Sequence, residues 1–152
     1  MAKARFRGTS DHSLDDKGRL SLPSRFKEEM RHYESDILMI TLWGEKHLRV
    51  YPLSEWEELE DKLRSCRDEN VDVSELLRYL IGTVTECPLD KQGRLLLPQG
   101  LRNLVNLQKD IVLIGMTDWI EIWNKESWMV NHQEIHKNFD KNKPLLAKLG
   151  IF

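Results

Sequence analysis

The chain of 152 residues has a globular composition, 40% hydrophobic and 32% charged, which argues against global disorder. Its longest apolar runs are four residues, far too short to span a bilayer. No apolar segment of the kind found in signal peptides follows the basic N-terminus, so no signal peptide is expected. Two cysteines, Cys66 and Cys87, make no disulfide framework and suit a reducing cytosol.

Charge is distributed unevenly along the chain. The formal net charge is −2, yet residues 1–27 hold seven basic and three acidic side chains, so this segment carries +4 and the remainder −6. Because the field near a surface depends on charges within about 8–10 Å, a basic segment on an acidic body can still bind phosphate. A charged, mobile N-terminus is the alternative explanation.

An internal repeat organises the sequence. Residues 15–23, which read D-D-K-G-R-L-S-L-P, align without a gap with residues 90–98, which read D-K-Q-G-R-L-L-L-P, at an offset of 75. Further matches follow in the same order: the apolar runs 37–40 and 111–114, the alternating segments 48–51 and 120–123, and Trp56 with Trp128. Such ordered matches predict one unit present twice, covering roughly residues 7–56 and 82–128.

In chain order, each half is predicted to start with a short strand that turns at a glycine, Gly18 or Gly93, because glycine adopts positive φ without steric penalty. A second strand leaves the turn, and its period of two places Arg19 and Ser21 on one face and two leucines on the other. A proline then ends this strand and suits the first turn of a short helix. The apolar run and the alternating segment predict two further strands in each half.

Two helices are predicted between the halves. Ser54 and Glu57 have capping-box spacing, and apolar residues recur at helical spacing, namely Trp56, Leu59, Leu63 and Cys66. A second helix is predicted from about Asp72, with Glu75 as another cap candidate and an apolar stripe of Leu76, Leu77, Leu80 and Ile81. The outer face of this pair is acidic, which excludes it as a DNA-binding face. It either covers the core of its own chain or packs between subunits.

A half of about fifty residues is too small to bury a sizeable core alone, whereas two halves can bury their apolar faces against each other. The predicted fold is therefore α+β and rich in β-structure, with two repeats forming one closed, pseudo-symmetric β-barrel flanked by helices. The predicted divisions are repeat 1 at 7–54, a helical linker at 55–82, repeat 2 at 83–126 and a helical tail at 127–152.

The doubled motif resembles that of a known family. D-x-x-x-R occurs as Asp15 to Arg19 and as Asp90 to Arg94, each with a glycine before the arginine and L-x-L-P after it. Together with Phe6-Arg7-Gly8, Tyr51-Pro52-Leu53 and Trp56, these residues resemble MraZ proteins over nearly the whole chain. The resemblance implies two AbrB-like (SpoVT-AbrB) units of the swapped-hairpin type. It also implies a ring-shaped homo-oligomer that binds short direct repeats in double-stranded DNA upstream of a promoter. Such a protein represses the division and cell-wall gene cluster, including its own gene.

The expected DNA contacts centre on the first motif. Its turn projects Lys17 and Arg19, and an arginine can donate two hydrogen bonds to guanine or clamp a phosphate. Asp15 and Asp90 can orient the arginines of their motifs, or the two ion pairs can simply brace the turns. The full set of DNA-binding candidates is Arg19, Lys17, Arg7, Arg5, Arg25 and Arg94.

The two halves differ in charge at aligned positions. The second half replaces first-half residues as follows: Ser21 by Leu96, Lys17 by Gln92 and Arg25 by Gly100. We therefore expect the first half to provide most DNA contacts and the second half to face a neighbouring subunit. Because one subunit offers few basic side chains, oligomerisation would multiply weak contacts through effective concentration.

Other functions find little support in the sequence. His132 and His136 are spaced for zinc, but the H-E-x-x-H order and a third ligand are missing, so no metal or cofactor is expected. No nucleophile elbow, P-loop or dinucleotide-binding pattern occurs, so neither enzyme activity nor a small-molecule substrate is expected. Trp56 and Trp128 are expected to be packing residues. The alternative function is a non-catalytic protein-interaction or antitoxin-like module. A cytoplasmic, nucleoid-associated location is expected for the regulator.

Overall fold

The computed structural model describes residues 5–66 and 72–151. The first half contains β1 (Phe6–Ser13), β2 (Arg19–Ser21), α1 (Ser24–Met30), β3 (Ile37–Leu42), β4 (His47–Pro52) and α2 (Leu53–Ser65). After α3 (Ser74–Thr83), the second half contains β5 (Thr85–Pro88), β6 (Arg94–Leu96), α4 (Gln99–Leu104), β7 (Asp110–Thr117), β8 (Ile120–Asn124) and α5 (Lys125–Asn142). A short α6 (Pro144–Lys148) follows. Both halves therefore run through the same order of strands and helices.

The strands of the two halves are interleaved. Among the described residues, six strands form one antiparallel sheet in the order β1-β7-β8-β4-β3-β5, and β2 pairs with β6 in a separate two-stranded sheet. The first strand of each half pairs with the third strand of the other half, β1 with β7 and β5 with β3. β4 and β8 pair at the middle of the sheet. Each half therefore depends on the other for part of its strand pairing.

The predicted closed β-barrel is not found. β1 and β5 stand at opposite ends of the strand order, and no ladder joins them within residues 5–66 and 72–151. β2 and β6 pair with each other in a separate sheet and form no ladder with either edge strand. The α+β, β-rich class is confirmed, but strand pairing leaves the sheet open.

Leucines of both motifs anchor the two-stranded sheet to the body of the protein. Leu20, Leu22, Leu95 and Leu97 are at most 3% exposed, and they share one cluster with apolar residues of the large sheet and of α1 and α4. Full burial of a leucine stabilises a fold by roughly 1.5–3 kcal/mol. The alternation predicted from the sequence is confirmed, because these leucines lie inside while their neighbours face outward.

α2 and α3 cover the core of their own chain. Trp56 of α2 is fully buried and packs with Met39 and Tyr51 of the sheet. Leu80 of α3 packs on the same cluster, whereas Leu76 is 59% exposed, so only part of the predicted stripe on α3 is used. The prediction that Trp56 is a packing residue is confirmed.

The beginning of α2 differs from the predicted capping box. The helix begins at Leu53, directly after Pro52 at the end of β4, and no side chain caps it. Ser54 therefore lies inside the first turn, because the chain enters the helix from the strand without a loop. Asp72 does act near the start of α3, where its Oδ1 accepts a hydrogen bond from the Ser74 backbone N at 3.0 Å.

α5 is attached to the sheet through its first turns. The Asn124 side chain caps it, with Oδ1 accepting from the Glu126 backbone N at 2.8 Å. Trp128 packs edge-on against Trp123 of β8, with ring centroids 5.7 Å apart, which confirms its predicted packing role. No helix in the described part of the chain is long and apolar enough to cross a membrane.

Candidate nucleic-acid interface

The two sequence motifs meet on one small antiparallel sheet, formed by β2 and β6 and called here the central ladder. Its register pairs Arg19 with Leu96, Leu20 with Leu95 and Ser21 with Arg94. Because side chains alternate along a strand, Leu20 and Leu95 point into the core while the other four side chains form an outer face. The two motifs therefore share one exposed surface.

The same hydrogen bonds close both turns. In the first turn the Asp15 N donates to Arg19 O at 3.1 Å and the Gly18 N donates to Asp15 O at 3.0 Å. In the second turn the equivalent bonds of Asp90 and Gly93 are both 3.0 Å long. Gly18 and Gly93 have φ values of +83° and +73°, which residues with a side chain rarely adopt. Glycine is required in both turns for this reason.

The aspartate of each motif holds the turn and the arginine at the same time. Asp15 Oδ1 accepts from the backbone N–H groups of Lys17 (2.9 Å) and Arg19 (2.8 Å), and Asp15 Oδ2 accepts from Arg19 Nε at 2.6 Å. Asp90 makes equivalent bonds to its own turn and to Arg94 Nε, at 2.8–2.9 Å. Turn bracing and arginine orientation are thus carried by different oxygens of one carboxylate.

Both carboxylates remain ionised, and both arginines keep nitrogens available. Hydrogen bonding, first of all from the Arg19 backbone N–H, lowers the pKa of Asp15 to about 2. Hydrogen bonding, first of all from the Arg94 backbone N–H, likewise lowers the pKa of Asp90. Each arginine uses only Nε and its backbone N–H, so within the described residues its terminal guanidinium nitrogens donate no hydrogen bond. They are free to meet a guanine edge or a phosphate.

The structure divides the predicted basic residues into two groups. Lys17, Arg19 and Arg94 lie on the central ladder or its turns. Arg7 lies near the start of β1, opposite Met116, and is eight residues from Asp15 along the chain. At roughly 3.3 Å per residue, an extended segment of this length separates Arg7 from the first turn by about 26 Å. Arg7 therefore lies well away from the first turn.

The second group already makes contacts inside the protein. The Arg5 backbone N donates to Glu29 Oε2 of α1 at 2.8 Å. The Arg25 guanidinium lies against the backbone of Gly8, and its Cζ is 5.4 Å from the centre of the Phe26 ring. Arg5, Arg7 and Arg25 thus lie where β1 and α1 begin.

Sequence reasoning missed two basic residues of the second half. At the offset of 75, Lys91 takes the position of Asp16, and Arg102 takes the position of Lys27. Applying the offset to every charged position, rather than to the motif alone, would have found both. Through Lys91 the second turn therefore keeps a lysine, although Gln92 stands where the first half has Lys17.

Positive charge concentrates on the central ladder and its turns. Six cations lie on or beside it, namely Lys17, Arg19, Lys27, Lys91, Arg94 and Arg102, against the three carboxylates Asp15, Asp16 and Asp90. The net charge of this set is +3, so the rest of the chain, with a total of −2, carries −5. An anionic partner would therefore be attracted to the ladder, whereas the rest of the chain carries a net negative charge.

His132, considered above as a metal ligand, has a packing partner. Its ring stacks on that of Trp128 with centroids 5.3 Å apart. Across residues 5–66 and 72–151, no group of three or more His, Cys, Asp or Glu side chains could hold a metal ion.

Comparison with known proteins decides the family. The family model described as "MraZ protein, putative antitoxin-like" matches residues 5–78 and 80–147. The chain belongs to the MraZ family. Each of the two MraZ matches contains one D-x-x-x-R motif and one strand of the central ladder.

Relatives from the MraZ family match along most of the chain. The protein named "Transcriptional regulator MraZ" from Syntrophobacter fumaroxidans is 38% identical over 151 residues, which is 99% of this chain and 100% of the relative. The relative of that name from Moorella thermoacetica is 41% identical over 147 residues, 97% and 98% of the two chains. That from Methylococcus capsulatus is 43% identical over 129 residues, 85% of each. The solution structure of PHS018 from Pyrococcus horikoshii, with 12% identity, a TM-score of 0.32 and coverage of 81% of this chain and 90% of that chain, is too remote to bear on the fold.

Proposed function

We propose that this protein is a sequence-specific DNA-binding transcriptional regulator. Its MraZ relatives are named transcriptional regulators, and the central ladder supplies a surface suited to that role. In this proposal it represses the division and cell-wall gene cluster, including its own gene, by binding short direct repeats upstream of the promoter. It acts as a ring-shaped homo-oligomer in the cytoplasm, associated with the nucleoid, and catalyses no reaction.

The observation that carries the proposal is the pair Arg19 and Arg94 on one exposed ladder. A two-stranded β-ribbon fits the major groove of B-DNA, and a bidentate arginine–guanine contact is the commonest specific one. Each arginine is held at Nε by its own aspartate, at 2.6 Å for Arg19 and 2.8 Å for Arg94. A side chain oriented before binding loses less conformational freedom when it meets its partner.

The proposal requires an oligomer because the positive charge of one subunit is modest. A net charge of +3 around the ladder permits only a few phosphate contacts, and such contacts alone bind weakly at physiological salt. Subunits joined in a ring would make later contacts intramolecular and so raise the overall affinity. Ring neighbours present equivalent ladders in the same sense, which suits direct repeats better than palindromes.

The testing experiment compares two arginine variants on DNA selected from random duplexes by the unmodified protein. We expect Arg19→Ala to lower affinity by between about fivefold and a hundredfold, the range of one bidentate base contact. The matched control is Arg64→Ala, since Arg64 is exposed on α2 and 4.0 Å from Asp61. Near-native affinity in a folded Arg19→Ala protein would reject the ladder as the DNA-binding face.

The alternative is a protein-interaction or antitoxin-like module, a possibility that the description of the MraZ family itself contains. The two functions differ in salt dependence. A DNA regulator loses affinity steeply as salt rises, because phosphate binding releases counterions. An interaction module would give no sequence-specific shift with DNA at any salt concentration.

A further inference from the structure

Arg102 reaches from the second half to cover the turn of the first half. A β-carbon built on Gly18 would lie only 2.6–2.8 Å from the Cζ, Nε and Nη2 atoms of Arg102, so the guanidinium rests directly on the turn backbone. Arg102 belongs to α4, and its Nε donates to Leu97 O at 3.1 Å. This bond fixes the guanidinium beside a turn that lies far from it in sequence.

The second turn shows the same arrangement. The Lys27 side chain of α1 lies against Gly93, and Lys27 Nζ donates to Gln92 O at 3.4 Å. Lys27 and Arg102 are equivalent positions at the offset of 75. Each half thus places one cation on the turn of the other half.

The contributed cation changes the charge of the first turn. Formal charges cancel within its own residues Asp15, Asp16, Lys17 and Arg19. Only Arg102 makes the turn positive, and in the described part of the chain Arg102 forms no ion pair with a carboxylate. Without Arg102 the first turn would therefore offer little attraction to a nucleic acid.

We propose that Arg102 is a phosphate-contacting residue, so that each half completes the DNA-binding turn of the other. This inference rests on the proposed DNA-binding function. Arg102 uses its Nε on Leu97 O and keeps its terminal nitrogens, which can grip a phosphate. Phosphate contacts set the position of a protein on the duplex, and base contacts by Arg19 and Arg94 would then read the sequence. Lys27 contributes a point charge at the second turn.

A purely structural role for Arg102 would have different requirements. Covering Gly18 needs a long side chain with a hydrogen-bond donor, and glutamine supplies much of that without charge. A phosphate contact needs the positive charge, which lysine keeps. Each phosphate neutralised contributes about 0.9 to the slope of log K against log salt. The salt slope therefore distinguishes the two roles.

The experiment compares Arg102→Gln with Arg102→Lys in the full chain, by fluorescence anisotropy over a salt series. The probes are a duplex selected by the unmodified protein and an unrelated duplex. For each engaged subunit, we expect Arg102→Gln to flatten the salt slope by about 0.9 and to weaken binding to both duplexes about fivefold at 0.15 M salt. Arg102→Lys keeps the slope. Arg78→Gln is the control, since Arg78 is exposed on α3.

Equal salt slopes for Arg102→Gln and Arg102→Lys would overturn the inference and leave the proposed function standing. A loss confined to the selected duplex would also overturn it, because phosphate contacts carry no sequence information. Absence of any salt-dependent DNA binding by the unmodified protein would reject the proposed function itself. If Arg102→Gln fails to fold, Lys27→Gln tests the equivalent cation and should flatten the slope by the same amount.

Discussion

Arg19 and Arg94 lie diagonally across an antiparallel ladder, Arg19 opposite Leu96 and Arg94 opposite Ser21. Diagonal neighbours in such a ladder are roughly 7–8 Å apart, so the arginines of the two motifs lie on one short stretch of surface. Their like charges are tolerated because each guanidinium is paired with its own aspartate. The ladder therefore requires the whole chain, since each half supplies only one of its two strands.

Replacing Asp15 by asparagine separates the two roles of its carboxylate. The asparagine oxygen can still accept from the turn backbone, but the charged acceptor for Arg19 Nε is lost. We expect Asp15→Asn to lower DNA affinity between about fivefold and a hundredfold. The melting temperature should change little, because exposed ion pairs contribute little to stability. Asp90→Asn is the matched variant, and unchanged affinity in both would show that the aspartates only brace the turns.

Leu96 makes the outer face of the ladder asymmetric. It is 56% exposed, and its counterpart in the first half is Ser21. An exposed apolar side chain beside an arginine can contact a thymine methyl group. Contrary to the expectation that the second half faces a neighbouring subunit, we therefore expect Leu96→Ser to reduce sequence preference without altering assembly. Binding selection and sedimentation measure the two effects. Dissociation of the oligomer with intact DNA binding would place Leu96 against a neighbouring subunit instead.

Leu95 and Leu104 provide a matched pair for stability. Leu95 is fully buried beneath the central ladder, whereas Leu104 at the end of α4 is 63% exposed. We expect Leu95→Ala to lower the free energy of unfolding by about 2–5 kcal/mol, because it leaves a cavity in the core. Leu104→Ala should change it by no more than about 0.5 kcal/mol. Urea denaturation measures both, and similar losses would contradict the packing of the ladder on the core.

The burial of His47 predicts that stability depends on pH. Its ring stacks on Trp123 with centroids 4.7 Å apart, and burial lowers the pKa of His47 below 6.5, with Glu121 acting against this shift and Arg49 adding to it. The unfolded chain then takes up the proton at higher pH than the folded chain. The contribution of neutral His47 to the free energy of unfolding is therefore complete above about pH 6.5. It is lost as the pH falls from there through the lowered pKa.

We accordingly expect the melting temperature to fall as the pH drops from about 6.5 to about 5, and to fall less in His47→Gln. His136→Gln is the control, since His136 is exposed on α5. A variant with the pH profile of the unmodified protein would show that His47 does not control this transition.

If several subunits of one oligomer bind DNA together, affinity should depend on the number of DNA elements. In sedimentation, the protein should have a mass well above the 18.0 kDa of one chain. In a shift assay, two elements spaced by about 10 bp should bind more tightly than one element, because successive copies then face the same side of the duplex. Two elements offset by half a helical turn should lose this advantage. Equal affinity for all three duplexes would refute avidity even if DNA is bound.

Short-range features of this protein were determined by the sequence itself. The alternation that buries Leu20 and exposes Arg19 depends only on the period of a strand, and the turns at Gly18 and Gly93 depend on local φ preferences. The offset of 75 likewise marked the two motifs as a pair, because matching residues in the same order can be read from the sequence alone. The start of α2 was mispredicted, since Pro52 leads from the strand straight into the helix.

Pairing between distant segments was decided only by the tertiary structure. No local pattern specifies that β2 pairs with β6, that β1 and β5 cross to the opposite half, or that the strand order stays open. These ladders form because both halves bury their apolar faces together, and that burial depends on the whole chain. The position of Arg102 has the same origin. Its contact with Gly18 exists because packing brings α4 against the first turn, and neither charge nor spacing along the sequence records that approach.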